Sequence, residues 1–368
     1  MKKSIEPSEE VEPVDETHVR WRDQQLVYFG GCDYLRLSWN PSVRSAIAKA
    51  IETGPVGVAA SRSTTGNHPV YGRVEGLLAK FFKSTTATLV SSGYLTNIIV
   101  AQALNGSIDR VFIDQVAHPT LFDAARLLRV KVTRFRHADV DDLQRKVAGV
   151  EGRVLVMTDA VFAHNGELAP LADYQKVLPR SALLLLDDCH GVGVVGERGA
   201  GSAEHWGLDR RRIIQTITFS KAFGVSGGAI LGSARLRRRI MEYSGAFLGG
   251  TPMAPALAAG IECSVKLLDR SPARLKRLRE NIRRVRKGLD LELDVFPVFV
   301  REGDSQAEMK RMSAALVLNG IHPPLIHYHG GAEKGFFRFA LSSEHSTDQV
   351  DNLIRVLKPF VFSGNPER

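Results

Sequence analysis

The chain has 368 residues, 44% of them hydrophobic, enough for one large and one small domain with separate cores, which excludes disorder as the default. The formal net charge of +9 admits a polyanionic partner, yet much of the excess sits in residues 270–287, where Leu275, Leu278, Ile282, Val285 and Leu289 recur at steps of three and four. That stripe reads as the buried face of one helix and the basic residues as its solvated face, and with no aromatic interleaving or reader motif a nucleic-acid partner is not expected.

In chain order, residues 1–17 are acidic and carry Pro7 and Pro13, the composition of a flexible tail, so structure is expected from near Val19. The first residues lack the apolar core of a signal peptide and no run of about eighteen apolar residues follows, so the protein is expected in the cytoplasm with no membrane partner. Cys32, Cys189 and Cys263 are odd in number and lack ligand-like spacing, which suggests reduced thiols and no metal site. After an N-terminal segment at 18–45, residues 46–268 alternate helical patterns with short apolar runs at 87–91, 110–113, 130–135, 153–158, 182–186, 214–218 and 229–232. Such runs predict strands covered on both faces, an α/β domain around a mostly parallel central sheet with its function at the strand ends. Residues 269–368 follow a second pattern: the basic helix, an apolar run at 293–300, a helix at 307–318, a strand at 336–341 and a last helix at 348–357. This predicts a smaller α+β C-terminal domain.

Three stretches carry chemistry. In Thr218-Phe-Ser-Lys221-Ala-Phe-Gly224 a lysine follows an apolar strand and precedes glycines; desolvated there, it is suited to attack an aldehyde, although a surface lysine in a Gly-rich turn looks the same. In Leu183-Leu-Leu-Leu-Asp187-Asp-Cys-His190 an apolar strand runs into a carboxylate placed where a pyridine nitrogen would need an acid partner, with His190 in reach of a ring hydroxyl. A helix cap is the plainer reading of Asp187. In Leu89-Val-Ser-Ser92-Gly93-Tyr94-Leu-Thr-Asn97 a strand, a Ser-Ser-Gly turn and a helical pattern offer backbone donors to an anion. Arg338, within Phe336-Phe-Arg338-Phe-Ala-Leu341, would be costly to bury without an anion, and its guanidinium fork suits a carboxylate; on the other strand face it would simply meet solvent.

These motifs, with Cys32-Asp-Tyr-Leu-Arg-Leu37, Ala60-Ser-Arg-Ser-Thr-Thr-Gly66, Asp114-Gln-Val-Ala-His118 and Thr158-Asp-Ala-Val-Phe-Ala-His-Asn-Gly166, fall in one order. In that order the sequence from Val19 onward resembles the alpha-oxoamine synthases, fold-type-I enzymes that use pyridoxal 5'-phosphate to join an amino acid to an acyl-CoA thioester. The resemblance implies that Lys221 forms a Schiff base with the cofactor and later takes the substrate's α proton, and that His118 stacks on the ring. It implies that Asp187 meets the pyridine nitrogen and that Ser92, Gly93, Tyr94 and Thr218 hold the phosphate. Thr251 would reach the phosphate of a neighbouring subunit, which implies a homodimer with shared sites, and Arg338 would hold the amino-acid carboxylate.

The chain departs from that pattern on the substrate side. Cys32 stands where an Asn is usual and Ala163 where a Ser is usual, both near the expected carboxylate subsite; Tyr71 replaces a common His, Asn165 an Asp, and Asp188-Cys189 a Glu-Ala pair. Losing two polar contacts to a carboxylate changes what fits there. An aminotransferase or an aldolase-like lyase would use the same Lys221 and Asp187. A non-catalytic basic protein would have little reason to keep Lys221, Asp187, His118 and His190 together.

Overall fold

The computed structural model describes residues 9–291, 295–326 and 335–360. They divide into two compact units: one draws on the N-terminal residues up to Gly31 and those from Arg277 onward, the other is Cys32–Lys276 with Phe296.

The first unit begins with three antiparallel strands, β1 (Glu12–Pro13), β2 (His18–Trp21) and β3 (Gln24–Val27). Ordered pairing thus starts ahead of Val19, at Glu12 opposite Arg20. The β2–β3 hairpin closes over Arg22 and Asp23 at φ 47° and 62°, the left-handed pair that matches the twist of a two-residue turn.

The second unit is built on seven strands: β4 (Thr86–Val90), β5 (Arg110–Asp114), β6 (Lys131–Phe135), β7 (Val154–Asp159), β8 (Leu183–Asp187), β9 (Ile213–Thr218) and β10 (Gly228–Gly232). All seven apolar runs in the sequence are strands. Their order is β4-β10-β9-β8-β7-β5-β6, parallel except for β10, which runs antiparallel to both neighbours. Every residue of β7, β9 and β10 is buried, which is why no inside-outside alternation marks them in the sequence. One core cluster packs Val100, Leu104, Leu121 and Leu128 against Val111, Leu155 and Leu185; another packs Phe135, Leu143 and Tyr174 against Val156, Leu184 and Ile213.

The remaining strands, β11 (Val298–Arg301), β12 (Leu325–Ile326) and β13 (Phe336–Ala340), form an antiparallel sheet in the first unit, ordered β11-β13-β12. The N-terminal residues are tied to this end of the chain: Val27 N donates to Gly320 O at 2.8 Å and Ala340 N to Phe29 O at 2.8 Å. The helices Gln306–Leu318 and Thr347–Leu357 lie where the pattern placed them, the latter with a capping box between Ser346 and Gln349. The stripe from Leu275 to Leu289 is buried along the basic helix Ala273–Leu289. No helix among the described residues is long and apolar enough to cross a membrane.

The parallel strands end in polar residues, and those ends are braced. Asp114, fully buried at the end of β5, accepts from Val116 N, Ala138 N and His137 Nδ1, while His137 Nε2 meets Glu167 at 3.2 Å. Glu167 belongs to the turn after β7, closed by Phe162 N to Glu167 O and Gly166 N to Phe162 O, that carries Ala163. Burial alone would lower the His137 imidazole, but the two carboxylates outweigh it and raise it to about 9. A histidine raised above its unfolded value of 6.5 lends stability that is complete below that pH and is lost as pH rises through 9. Chemical denaturation should show a fall in stability between about pH 6.5 and 9 that flattens in His137→Gln; an unchanged slope in that variant would count against the clamp.

Candidate active site

The parallel strands β7, β8 and β9 place Asp159, Asp187 and Thr218 at their carboxyl ends, with Asp159 opposite Asp187 and Asp187 opposite Thr216 in register. Ligands of open α/β sheets bind outside this edge. Asp187 is buried, and both of its oxygens accept: Oδ2 from Asn97 Nδ2 at 2.7 Å, Oδ1 from the Cys189 backbone at 3.2 Å. It does not serve as a helix cap. Asn97, on the helix Gly93–Leu104, is held by Thr216 Oγ1, which donates to its Oδ1 at 2.8 Å, so its amide can only point at Asp187. The same amide reaches Thr120 Oγ1 at 3.2 Å, and Thr120 lies 2.9 Å from His118 Nδ1. One chain of hydrogen bonds therefore runs from β9 through the Asn97 amide to the imidazole, with the Asp187 carboxylate held as a branch of it.

His118 caps the helix Pro119–Leu127, and its backbone N–H donates to Asp159 Oδ2 at 2.7 Å. Although the residue has an open side, the strand ends strip enough water from its ring to lower it below the ordinary imidazole value. The Asp187 charge opposes that shift and the Lys221 charge adds to it. A neutral, flat ring results at neutral pH.

Lys221 follows β9 in a turn closed by Gly224 N to Lys221 O at 2.9 Å, anchored by the buried rings of Phe219 and Phe223. Gly224 is needed here for the chain itself: at φ 67°, a Cβ on it would lie 2.1 Å from Ser38 N. Half-buried Lys221 is near enough for its charge to bear on His118, Asp159 and Cys189. The Cys189 thiol, pushed up by burial and by Asp187, is inert.

On the other side of the strand ends, Ser92 caps the helix Gly93–Leu104 by accepting from Tyr94 N at 3.2 Å. A Cβ on Gly93 would lie 2.6 Å from Thr218 Cβ, and one on Gly228 would lie 2.9 Å from Gly93 N. Backbone from β10, the β9 end and the helix start is pressed together with no room for side chains, a cradle of N–H groups suited to an anion. The Tyr94 hydroxyl turns away to Asp123 at 2.9 Å, leaving only its backbone at the cradle. His190 Nδ1 lies 2.9 Å from the Tyr34 hydroxyl, with Phe296 edge-on to both rings. Were Tyr34 the donor, the His190 proton would sit on Nε2.

The other expected residues are more dispersed. Thr251 is exposed, on a segment held by Tyr71, whose hydroxyl donates to Met253 O at 2.6 Å. Cys32 is half-buried just ahead of Tyr34, and Ala163 sits half-buried on its turn. Arg338 lies on β13 in the other unit and is buried, so it does not face solvent. Asn97, Asp159 and Tyr34 were not singled out from the sequence, although each lies inside a motif that was.

The family model "Aminotransferase class I and II" matches residues 25–357. The chain belongs to that family. Within it, this is an alpha-oxoamine synthase: it is 34% identical over 351 residues to 8-amino-7-oxononanoate synthase of Thioalkalivibrio sulfidiphilus, covering 91% of this chain and 88% of the relative. The enzyme of the same name from Methylococcus capsulatus is 32% identical, covering 94% and 92%. The fold is shared with serine palmitoyltransferase of Sphingomonas wittichii, at 23% identity, TM-score 0.87, and coverage of 95% of this chain and 90% of that one.

The family's cofactor is pyridoxal phosphate, and the residues fit it. Asp187 is a buried acceptor that could meet a protonated ring nitrogen, the crowded backbone at Gly93, Thr218 and Gly228 lies at a helix start where an anion could be held, and Lys221 could supply the amine. Asn97→Ala should leave one oxygen of Asp187 without its donor, while Thr216 Oγ1 keeps Leu186 O, costing about 1–3 kcal/mol of stability and weakening cofactor binding. Thermal melts and cofactor titration check this; a stable variant with unchanged affinity would contradict the assigned network.

Proposed function

We propose that this enzyme condenses a small amino acid with an acyl-CoA thioester, releasing CoA and carbon dioxide and leaving an alpha-amino ketone of the 8-amino-7-oxononanoate kind. The observation that carries the reading is the buried Asp187, oriented by Asn97 and set at the same strand edge as Lys221 and the glycine cradle.

When bound, pyridoxal phosphate supplies an electron sink for the bonds at the amino acid's α-carbon. The protein's own part is positioning and proton handling. Asp187 holds the proton on the ring nitrogen, and Asn97 keeps that carboxylate from turning away. His118, its imidazole lowered by burial, would stack on the ring when the cofactor is bound. Ser92, Gly93 and Tyr94, with Thr218, would hold the phosphate at the helix start, where the anion would compete with Ser92 Oγ for the Tyr94 N–H. Lys221 Nζ takes the α proton and returns it to the product.

Arg338 is proposed to bind the substrate carboxylate, and Cys32 and Ala163 are proposed to influence which donor is accepted. A thiol and a methyl in place of two polar groups suit a donor with a larger or less polar flank than the usual partner residues would accept. Thr251 is proposed to complete the phosphate site of a second copy in a homodimer, and the enzyme is proposed to work in the cytoplasm.

Lys221→Ala should lose the visible absorbance of the cofactor-loaded protein and its borohydride-reducible adduct, and thiol release from acyl-CoA should fall by at least about 10³-fold. A variant that kept its absorbance and turnover would overturn the reading.

A further inference from the structure

Asp159 has no part in the scheme above, yet it is buried at the strand edge among charged groups. It ends β7 directly opposite Asp187 on β8, so the two backbones are about 4.8 Å apart. It is 6% exposed, and its one side-chain hydrogen bond among the described residues is the 2.7 Å contact from His118 N to Oδ2. Asp187 receives two donors, the Asn97 amide and the Cys189 N–H. Two buried carboxyl groups side by side do not both ionise, and the better-solvated one keeps the charge. By donor count, Asp159 is the less well compensated of the two.

We propose that Asp159 is a positioning residue that works as a neutral carboxylic acid, holding a proton beside Asp187 while its Oδ2 anchors the backbone of His118. The charged and titratable groups around it agree. Burial drives its carboxyl well above the usual range, and Asp187 from β8 and Asp114 from β5 push the same way. The His118 N–H and the Lys221 charge oppose them without prevailing. For the reaction, a neutral Asp159 would put no second charge beside the Asp187 carboxyl that is to meet the ring nitrogen. That consequence rests on the proposed cofactor chemistry; the proton assignment does not.

Infrared difference spectra of the cofactor-free protein, wild type minus Asp159→Asn, test the assignment directly. Near neutral pH the wild type should contribute a protonated-carboxyl C=O stretch that shifts in D2O; carboxylate bands in its place would overturn the proposal. If Asp159→Asn does not fold, Asp159→Ser gives the same subtraction. In the cofactor-loaded protein, an Asn that replaces a neutral acid should leave the pH midpoint of the visible absorbance within about half a unit. Deleting a neighbouring charge moves such a midpoint by about one unit or more, and a downward move of that size would also overturn it. Failure of wild type to gain visible absorbance with pyridoxal phosphate at any pH would instead defeat the cofactor reading and leave the infrared result standing.

Discussion

A carboxylate at the end of a buried strand has lost its water, and Asp187 is the group on which the arrangement of this edge depends. Removing an ion from water is costly unless hydrogen bonds replace the hydration. The replacements come from the helix Gly93–Leu104 through Asn97 and from the backbone that turns after β8. Asn97 is in turn pinned by Thr216 on β9 and reaches Thr120 beside His118. The helix that starts at the glycine cradle is thereby locked in rotation by the residue that steers the carboxylate. The two ends of the proposed cofactor site are set by one element.

Charge at the edge follows the same economy. Of the carboxyl groups at the ends of β5, β7 and β8, Asp114 is spent on His137 and on two backbone donors, Asp159 has a single donor, and Asp187 has two. The neighbouring Asp188 is buried as well, raised to about 7 by burial although Ser202 and Gln215 donate to it. It fastens the loop between Gly191 and Gly201, where Cβ atoms would fall 2.0 and 2.2 Å from its oxygens. Adjacent residues of one strand end thus divide the work: Asp187 faces the site and Asp188 holds the fold behind it.

The sheet was legible in the sequence because strands buried on both faces are unbroken apolar runs, and all seven such runs in the large domain became strands. Lys221 and Asp187 stand out in the sequence for a related reason: a charged residue where an apolar run stops is conspicuous. What was not legible depends on partners distant in sequence. Asn97 meets Asp187 across 90 residues, His118 meets Asp159 across 41, and Tyr34 meets His190 across 156. A polar residue in an apolar helix, the second carboxyl in Thr158-Asp159, and a tyrosine beside Cys32 carry no local mark of those contacts. The early strand at Glu12 was masked by its acidic, proline-bearing composition, since its pairing is decided by β2. The substrate side stays the least determined by pattern, because Cys32 and Ala163 are ordinary residues whose meaning lies in what they replace.

The central claim is a condensation that loses one carbon and one thiol together. Its most direct measurement is the stoichiometry of a reaction between a carboxyl-labelled amino acid and an acyl-CoA, across a panel of donors and chain lengths. The account predicts labelled carbon dioxide and free CoA in equal amounts, each requiring both substrates, with a product mass equal to acyl plus decarboxylated donor. Amino transfer to a 2-oxo acid without thiol release, or carbon dioxide formed without an acyl-CoA, would contradict it.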